Sequence, residues 1–236
     1  MKSTLYLNEF NKVNVHSVSK ANLDIRLSFL RKVYGILSCQ LILTLLIGLF
    51  FYLIPNGVEY VLNNRWHIDI ALISSIVLMG LLYFKRHQSP LNFVLLFSFT
   101  LCQAYMLGTT MIFYKASLLI KSLVLTMAAF VGLHIYAMQT KRDFSKWGQM
   151  LITGMWVLCL AGIIQYFYPM SGFEFGLSIL GTALFCLYIV YDVQILMTKL
   201  SPEEYVIASL TLYLDTINLF LQILKLLKSS EKRNKN

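Results

Sequence analysis

Apolar residues run through this chain in long blocks that are separated by short charged segments. A helix that crosses a bilayer needs about 20 predominantly apolar residues, so these blocks predict membrane-spanning helices. Six strong stretches are Val33 to Val58, Ile70 to Phe84 with Trp66 at its start, Pro90 to Phe113, Ser122 to Thr140, Trp147 to Tyr168, and Phe175 to Leu196. The sixth stretch contains Asp192, and a weaker seventh stretch, Tyr205 to Leu224, is interrupted by Asp215.

The composition excludes an ordinary soluble domain. Hydrophobic residues make up 58% of the 236 residues and charged residues only 13%, whereas soluble domains carry about 25% charged residues. We therefore predict an all-α polytopic membrane bundle of six transmembrane helices plus a seventh buried or re-entrant helical segment. The predicted boundaries are a polar cytoplasmic segment over 1–30, one membrane domain over 31–227, and a basic cytoplasmic tail over 228–236.

The positions of Lys and Arg predict the orientation, because positively charged short loops stay cytoplasmic. Three polar segments on the predicted cytoplasmic side carry Lys2, Lys12, Lys20, Arg26, Arg31 and Lys32, then Lys85 and Arg86, then Lys141, Arg142 and Lys146. The tail adds Lys225, Lys228, Lys232, Arg233 and Lys235. A seventh full span would carry these tail cations to the far side. The charge count therefore favours re-entry or a buried helix, with both termini cytoplasmic.

The remaining composition limits the classes of partner and cofactor. The net charge of +9 is explained by these flanks, which suit an anionic leaflet, so the lipid bilayer is a predicted partner and nucleic acid is not. The four Cys and four His residues are scattered, with neither a C-x-x-C pair nor two His at helical spacing. We therefore expect no zinc site, no other cofactor, and cysteines that act as small buried hydrophobic residues.

Asp192 and Asp215 are the strongest functional signal in the sequence. A carboxylate at the bilayer centre costs about 2.5 to 3.5 kcal/mol, so such residues usually face the bundle interior and mark ion or proton paths. If the last segment packs beside the sixth helix, the two side chains meet, share a proton and, when ionised, offer oxygen ligands to Ca²⁺. Asn218 is a candidate helper for that ion. The alternative is that each Asp only hydrogen-bonds to a neighbouring helix or a buried cation.

Other charged residues are weaker candidates for the same pathway. Arg86, with Lys85 beside it, is a candidate latch for the aspartates because a long side chain can reach inward, although both also fit simple cytoplasmic charge. Glu174 is a candidate acid at a pore mouth or an interfacial acid. Glu203 is a second candidate pore acid, but its place after Ser201 and Pro202 favours a role in helix initiation.

Several motifs together resemble the transmembrane Bax inhibitor motif family and its lifeguard branch, which has poxviral members. They are F-L-R-K-V-Y-G-I-L from Phe29, P-L-N from Pro90, Q-T-K-R-D-F-S-K from Gln139, I-V-Y-D from Ile189, and K-L-S-P-E-E-Y-V from Lys199 through L-Y-L-D-T-I-N-L-F. The resemblance covers Phe29 to Leu227 in order.

The resemblance implies a protein of Golgi membranes, with the endoplasmic reticulum as a further location, that leaks Ca²⁺ from stores and suppresses apoptosis. It also implies that Asp192 and Asp215 form a buried pH sensor that Lys85 or Arg86 latches. Bacterial relatives carry an acidic residue within the second span, where this chain has Ser74. That departure removes a carboxylate from any Ca²⁺ path at this position.

Three hypotheses on function remain open from the sequence. The first is a Ca²⁺ leak channel with Ca²⁺ as the permeant ion and H⁺ as the regulator. The second is a non-conducting scaffold that modulates another channel or a cell-death regulator, alone or by self-association, and the third is a proton-coupled Ca²⁺ exchanger. An intramembrane aspartyl protease is disfavoured because its usual G-x-G-D and P-A-L motifs are missing near Asp215, so we expect no enzyme activity.

Overall fold

The computed structural model describes residues 17–18 and 23–234, and its regular elements are all helices. They are α1 (Leu23–Leu53), α2 (Gly57–Asn63), α3 (Trp66–Lys85), α4 (Leu91–Met111), α5 (Ala116–Gln139), α6 (Gly148–Phe167), α7 (Ser171–Thr198) and α8 (Tyr205–Arg233). Seven of these helices, all except α2, are long and apolar enough to cross a membrane. The predicted all-α membrane bundle is confirmed.

The helices extend beyond the charge-free stretches at several ends. α5 begins at Ala116 and so includes Lys121, and α3 ends at Lys85. A long basic side chain near a helix end can keep its charge in the interface while its stem covers apolar surface, so a charge there does not end the helix. The turn between α1 and α2 uses Asn56, whose φ of 58° is in the left-handed region that Asn tolerates better than most residues.

α8 lies at the centre of the bundle and packs against α7, α1, α5 and α4. In its most apolar window 67% of the residues are buried, against 6% in the window of α6. The fully buried side chains of α8 include Val206, Leu212, Tyr213, Leu219 and Leu224. The seventh segment is therefore the buried helix that the sequence left as one of two alternatives.

The structure corresponds to the buried-helix alternative rather than to re-entry, because α8 runs through the whole bundle without a break. Its 29 residues span about 43 Å at 1.5 Å per residue, which exceeds the roughly 30 Å of the hydrocarbon core. At its start, the ring of Tyr205 lies 5.1 Å from Lys32 Nζ on α1. At its far end, Glu231 Oε1 lies 3.1 Å from Lys115 Nζ, beside the first turn of α5.

For the same reason, α1 begins and α8 ends at opposite ends of the bundle, an arrangement that differs from the expected placement of both termini on one side. The basic end of α8 finds partners at that far end. Lys228 Nζ lies 4.6 Å from the ring centroid of Tyr114, and Arg233 Cζ lies 5.5 Å from that of Phe175. Cation–π contacts of this kind stabilise a charge. We call the end that holds the start of α1 the amino-terminal end and the other the opposite end.

The cysteine prediction is also corrected in part. Cys39 and Cys159 are exposed on the bundle surface, and Cys102 and Cys186 are half-buried. In a membrane protein an apolar residue that faces outward meets lipid, so a small hydrophobic side chain does not need the interior.

Candidate functional site

Asp192 and Asp215 come together on the adjacent antiparallel helices α7 and α8. Asp192 lies six residues before the end of α7, and Asp215 lies ten residues after the start of α8. Measured along the helix axes, Asp192 is therefore about 9 Å, and Asp215 about 15 Å, from the amino-terminal end of the bundle. The two carboxyl groups are within hydrogen-bonding distance of one another. A carboxylate only accepts hydrogen bonds, so a bond between them requires one shared proton.

The surroundings of the pair are apolar and closed. Asp215 is 6% exposed and Asp192 is half-buried, while Ile189 and Val193, on either side of Asp192 in α7, are fully buried. Asp215 Oδ2 receives no hydrogen bond from any N–H or O–H donor in the described part of the chain. A buried carboxylate without a donor is costly when ionised. The site therefore favours a shared proton or a bound cation over two free charges.

A polar network holds α8 in place next to the pair. Tyr213 Oη and Thr44 Oγ1 are 2.9 Å apart, which joins α8 to α1, and Gln40 Nε2 donates to Thr100 Oγ1 at 2.9 Å, which joins α1 to α4. Thr44 also donates to the Gln40 carbonyl oxygen at 2.8 Å. We did not identify these residues from the sequence. The available signal was Gln40 and Thr44 at a spacing of four residues in an apolar span, which places both on one helix face.

A cavity of about 580 Å³ with several polar side chains on its wall lies between α6, α7 and α8 in the opposite half of the bundle. We call this cavity the vestibule. Its polar lining consists of Gln165, Glu174, Ser178, Asn218, Gln222 and Lys225, and its wall also includes Cys159 and Phe185. The sequence identified Glu174 and Asn218 as candidates, and the structure places both on this wall. It did not identify the vestibule as a whole, because its lining comes from three helices.

An aromatic pair, Phe185 and Tyr188, lies near both the vestibule and the aspartates. Phe185 lines the vestibule and is 4% exposed, and its ring centroid lies 6.0 Å from that of Tyr188. Tyr188 is within electrostatic range of Asp192, Asp215 and Cys159. Phe185 on the vestibule wall is therefore linked through Tyr188 to the aspartate pair.

Asn218 lies one turn beyond Asp215 on α8. Its Nδ2 donates to the Leu214 carbonyl oxygen at 2.9 Å, which leaves its own amide oxygen for the vestibule. The described residues contain no group of three or more His, Cys, Asp or Glu side chains arranged to hold a metal ion. Since Ca²⁺ takes six to eight oxygen ligands in a stable site, two carboxylates suit a passing ion better than a resident one.

Arg86, the candidate latch, forms its ion pair with a residue outside the aspartate pair. Arg86 Nε lies 3.6 Å from Glu204 Oε1 and donates to His87 Nε2 at 3.1 Å. Lys85 is the last residue of α3. The contact joins the end of α3 to the segment between α7 and α8, so in this conformation the two aspartates interact with each other and not with Arg86.

Glu203 lies outside the vestibule, in the segment that connects α7 to α8, and is exposed. The segment forms a hydrogen-bonded turn, but Pro202 is not the first helical residue and α8 begins without a side-chain cap. Ser201 N donates to Glu204 Oε2 at 3.0 Å, and Glu203 N lies 3.5 Å from Ser201 Oγ. They close a turn ahead of α8, whose first helical residue is Tyr205.

Comparison of the whole chain with known proteins agrees with the resemblance carried by the motifs. The family described as inhibitor of apoptosis-promoting Bax1 matches residues 26–232. Mouse protein lifeguard 4 is 42% identical over 92% of this chain and 91% of its own length, and the Golgi anti-apoptotic protein of vaccinia virus (strain Lister) is 42% identical over 92% of both chains. Bax inhibitor 1 of Schizosaccharomyces pombe is 36% identical over 94% of this chain and 84% of its own. The resemblance seen in the motifs is confirmed, and this chain belongs to the family of inhibitors of apoptosis-promoting Bax1.

Proposed function

We propose that this chain is a Golgi membrane protein, present also in the endoplasmic reticulum, that inhibits apoptosis by leaking Ca²⁺ from the store under the control of a shared proton. The names of its relatives support the location and the effect on cell death. The observation that carries the ion pathway is the hydrogen-bonded contact between Asp192 and Asp215 inside the bundle.

The chemistry of the pair links proton binding to ion passage. With one proton between them, the two carboxyl groups attract each other and hold α7 against α8. Without that proton, two like charges repel in a low-dielectric interior, and both become ligands for a hard cation. The proton and Ca²⁺ thus compete for the same oxygen atoms, which makes the flux depend on pH.

The vestibule supplies access to the pair from the opposite end of the bundle. Its acid, Glu174, and its amide and hydroxyl groups offer oxygen atoms that can replace part of the hydration shell of an ion. The Phe185 and Tyr188 rings then form the barrier between the vestibule and the aspartates. We infer that these rings separate when the pair does.

The test is Ca²⁺ flux into dye-loaded liposomes that contain the purified protein, scanned from about pH 6 to 8. We expect a flux that changes by at most about tenfold per pH unit, the limit for a single proton. Asp192→Asn and Asp215→Asn should each remove this pH dependence. Asp69→Asn is the matched control, because Asp69 is an exposed acid in the first turn of α3, and it should keep the wild-type profile.

Two results of the flux assay would contradict the proposal. An unchanged pH profile in folded Asp192→Asn and Asp215→Asn protein would exclude the shared proton as the regulator. Absence of flux at every pH, with folding verified, would favour the scaffold hypothesis, in which the chain modulates another channel or a cell-death regulator.

A proton-coupled Ca²⁺ exchanger is the second candidate function. It is favoured by the position of the vestibule, which lies in the half of the bundle opposite the amino-terminal end and includes Asn218, one turn from Asp215, since alternating access needs a site that is reached from one side at a time. An imposed pH gradient should drive Ca²⁺ against its own gradient in an exchanger. A leak channel should pass Ca²⁺ only down its gradient under the same conditions.

A further inference from the structure

A second cavity of about 580 Å³ lies between α1 and α4, away from the aspartates. This volume is within the range of about 300 to 1,000 Å³ that small-molecule sites occupy. Its walls are mostly apolar and include Ile36, Leu43, Leu96, Phe93 and Phe97. Phe93 is 40% exposed and Phe97 55% exposed, so the cavity opens sideways toward the lipid. We call it the α1–α4 crevice.

Gly35 gives the crevice its width. A Cβ atom added at Gly35 would meet no atom within 4 Å, so the space beside this helix face is open. On the wall of the crevice, Gln40 Nε2 on α1 donates a hydrogen bond to Thr100 Oγ1 on α4. The crevice is therefore a groove along the helix axes that is open on the lipid-facing side.

Two basic side chains, Arg31 and Lys32, lie at one end of the crevice. Arg31 and Lys32 line it at the amino-terminal end and are exposed. Within residues 17–18 and 23–234, neither forms an ion pair with a carboxylate, and Lys32 Nζ faces the Tyr205 ring. From Arg31 to Gln40 the crevice follows α1 for about 13 Å. Its charge and its apolar walls are thus arranged in the order of the head and the tail of a lipid.

We propose that the α1–α4 crevice binds one anionic phospholipid, whose phosphate lies at Arg31 and Lys32 and whose acyl chain lies along the apolar walls beside Gly35. Acyl chains find apolar surroundings everywhere in a bilayer, so the tail contributes little preference. Selection comes from the two cations, which favour an anionic head over a zwitterionic one. The positive-inside rule places this end in the cytoplasmic leaflet, which is the anionic one.

The test is native mass spectrometry of the full-length protein in detergent micelles, titrated with phosphatidylglycerol or with phosphatidylcholine that has the same acyl chains. We expect preferential retention of phosphatidylglycerol. The double variant Arg31→Gln, Lys32→Gln should weaken this retention by about fivefold for each charge removed. Gly35→Leu should also abolish the preference, because its side chain fills the crevice.

Matched variants separate the site from general effects. Lys141→Gln with Arg142→Gln removes two exposed cations from the segment between α5 and α6 and should leave retention within twofold of wild type. Gly132→Leu adds the same side chain at another exposed glycine whose Cβ would meet nothing within 4 Å, and it should retain the lipid. A thermal melt of each variant checks that the fold is intact.

Three results would each overturn the proposal. Equal retention of the two lipids would show that charge does not select the occupant. An equal loss in the Lys141 and Arg142 double variant would reduce the effect to diffuse surface attraction. Full retention in folded Gly35→Leu protein would show that the crevice is not where the lipid lies.

Discussion

Among the single residues of the proposed pathway, Glu174 and Lys225 place opposite charges on the wall of the vestibule. Both line the cavity, and their charges interact. Glu174 attracts cations toward the vestibule, whereas Lys225 repels them. A charge in a narrow low-dielectric passage changes the local concentration of permeant ions, so these two residues set how easily a cation reaches the Phe185 and Tyr188 rings.

We predict that Lys225→Met raises the Ca²⁺ flux by up to about tenfold and that Glu174→Gln lowers it by a similar factor. Both effects should shrink at high ionic strength, because salt screens exposed charges. Liposome flux at low and high salt measures them. Lys121→Met is the control, since Lys121 is an exposed cation on α5. A Lys225→Met flux equal to that of wild type would remove the vestibule from the pathway.

At the scale of elements, α1 and α4 approach each other closely where Gly108 faces Phe51. A Cβ added at Gly108 would lie 2.8 Å from Phe51 Cδ2 and 3.3 Å from Phe51 Cβ. An aromatic ring close to its own backbone has little freedom to move away. The missing side chain at Gly108 is therefore what allows the two helices to pack at this distance.

We predict that Gly108→Ala lowers the melting temperature of the purified protein, because overpacking costs about 1 to 3 kcal/mol. Gly132→Ala is the control with the opposite expectation. Its Cβ meets nothing within 4 Å, and Ala is favoured over Gly inside a helix by roughly 0.5 to 1 kcal/mol. A Gly108→Ala protein as stable as the Gly132→Ala protein would contradict the close contact.

At the scale of the whole molecule, the first long helix begins and the last long helix ends at opposite ends of the bundle. The contacts of Lys32 with Tyr205 and of Lys115 with Glu231 fix the two ends of α8 independently. Among the seven candidate spans in the described part of the chain, α8 alone has a most apolar window that is mostly buried, at 67%. It carries Asp215 where lipid cannot reach it.

We predict that epitope tags at the two termini differ in their protection from protease in sealed Golgi vesicles. The amino-terminal tag should be digested, because the positive-inside rule places that end in the cytoplasm, and the carboxy-terminal tag should survive until detergent is added. Digestion of both tags in sealed vesicles would contradict a full seventh span and restore the re-entrant alternative.

The sequence by itself determined the helical class and the six strong apolar stretches, and it marked Asp192 and Asp215 as the candidate site. These follow from local physics: the length of each apolar stretch fixes a span, and the cost of a charge in lipid marks the aspartates. It also indicated that the pair meets, because two consecutive antiparallel helices bring such positions together.

Only the tertiary structure decided the path of α8, the partner of Arg86 and the two cavities. The charge count favoured re-entry because it treats each tail cation as if lipid and water were its only surroundings, whereas Lys228 and Arg233 find aromatic partners and Glu231 pairs with Lys115. Arg86 pairs with Glu204 because the segment between α7 and α8 packs beside the end of α3. Contacts between distant parts of the chain depend on how helices pack, and a linear pattern of residues does not contain that information.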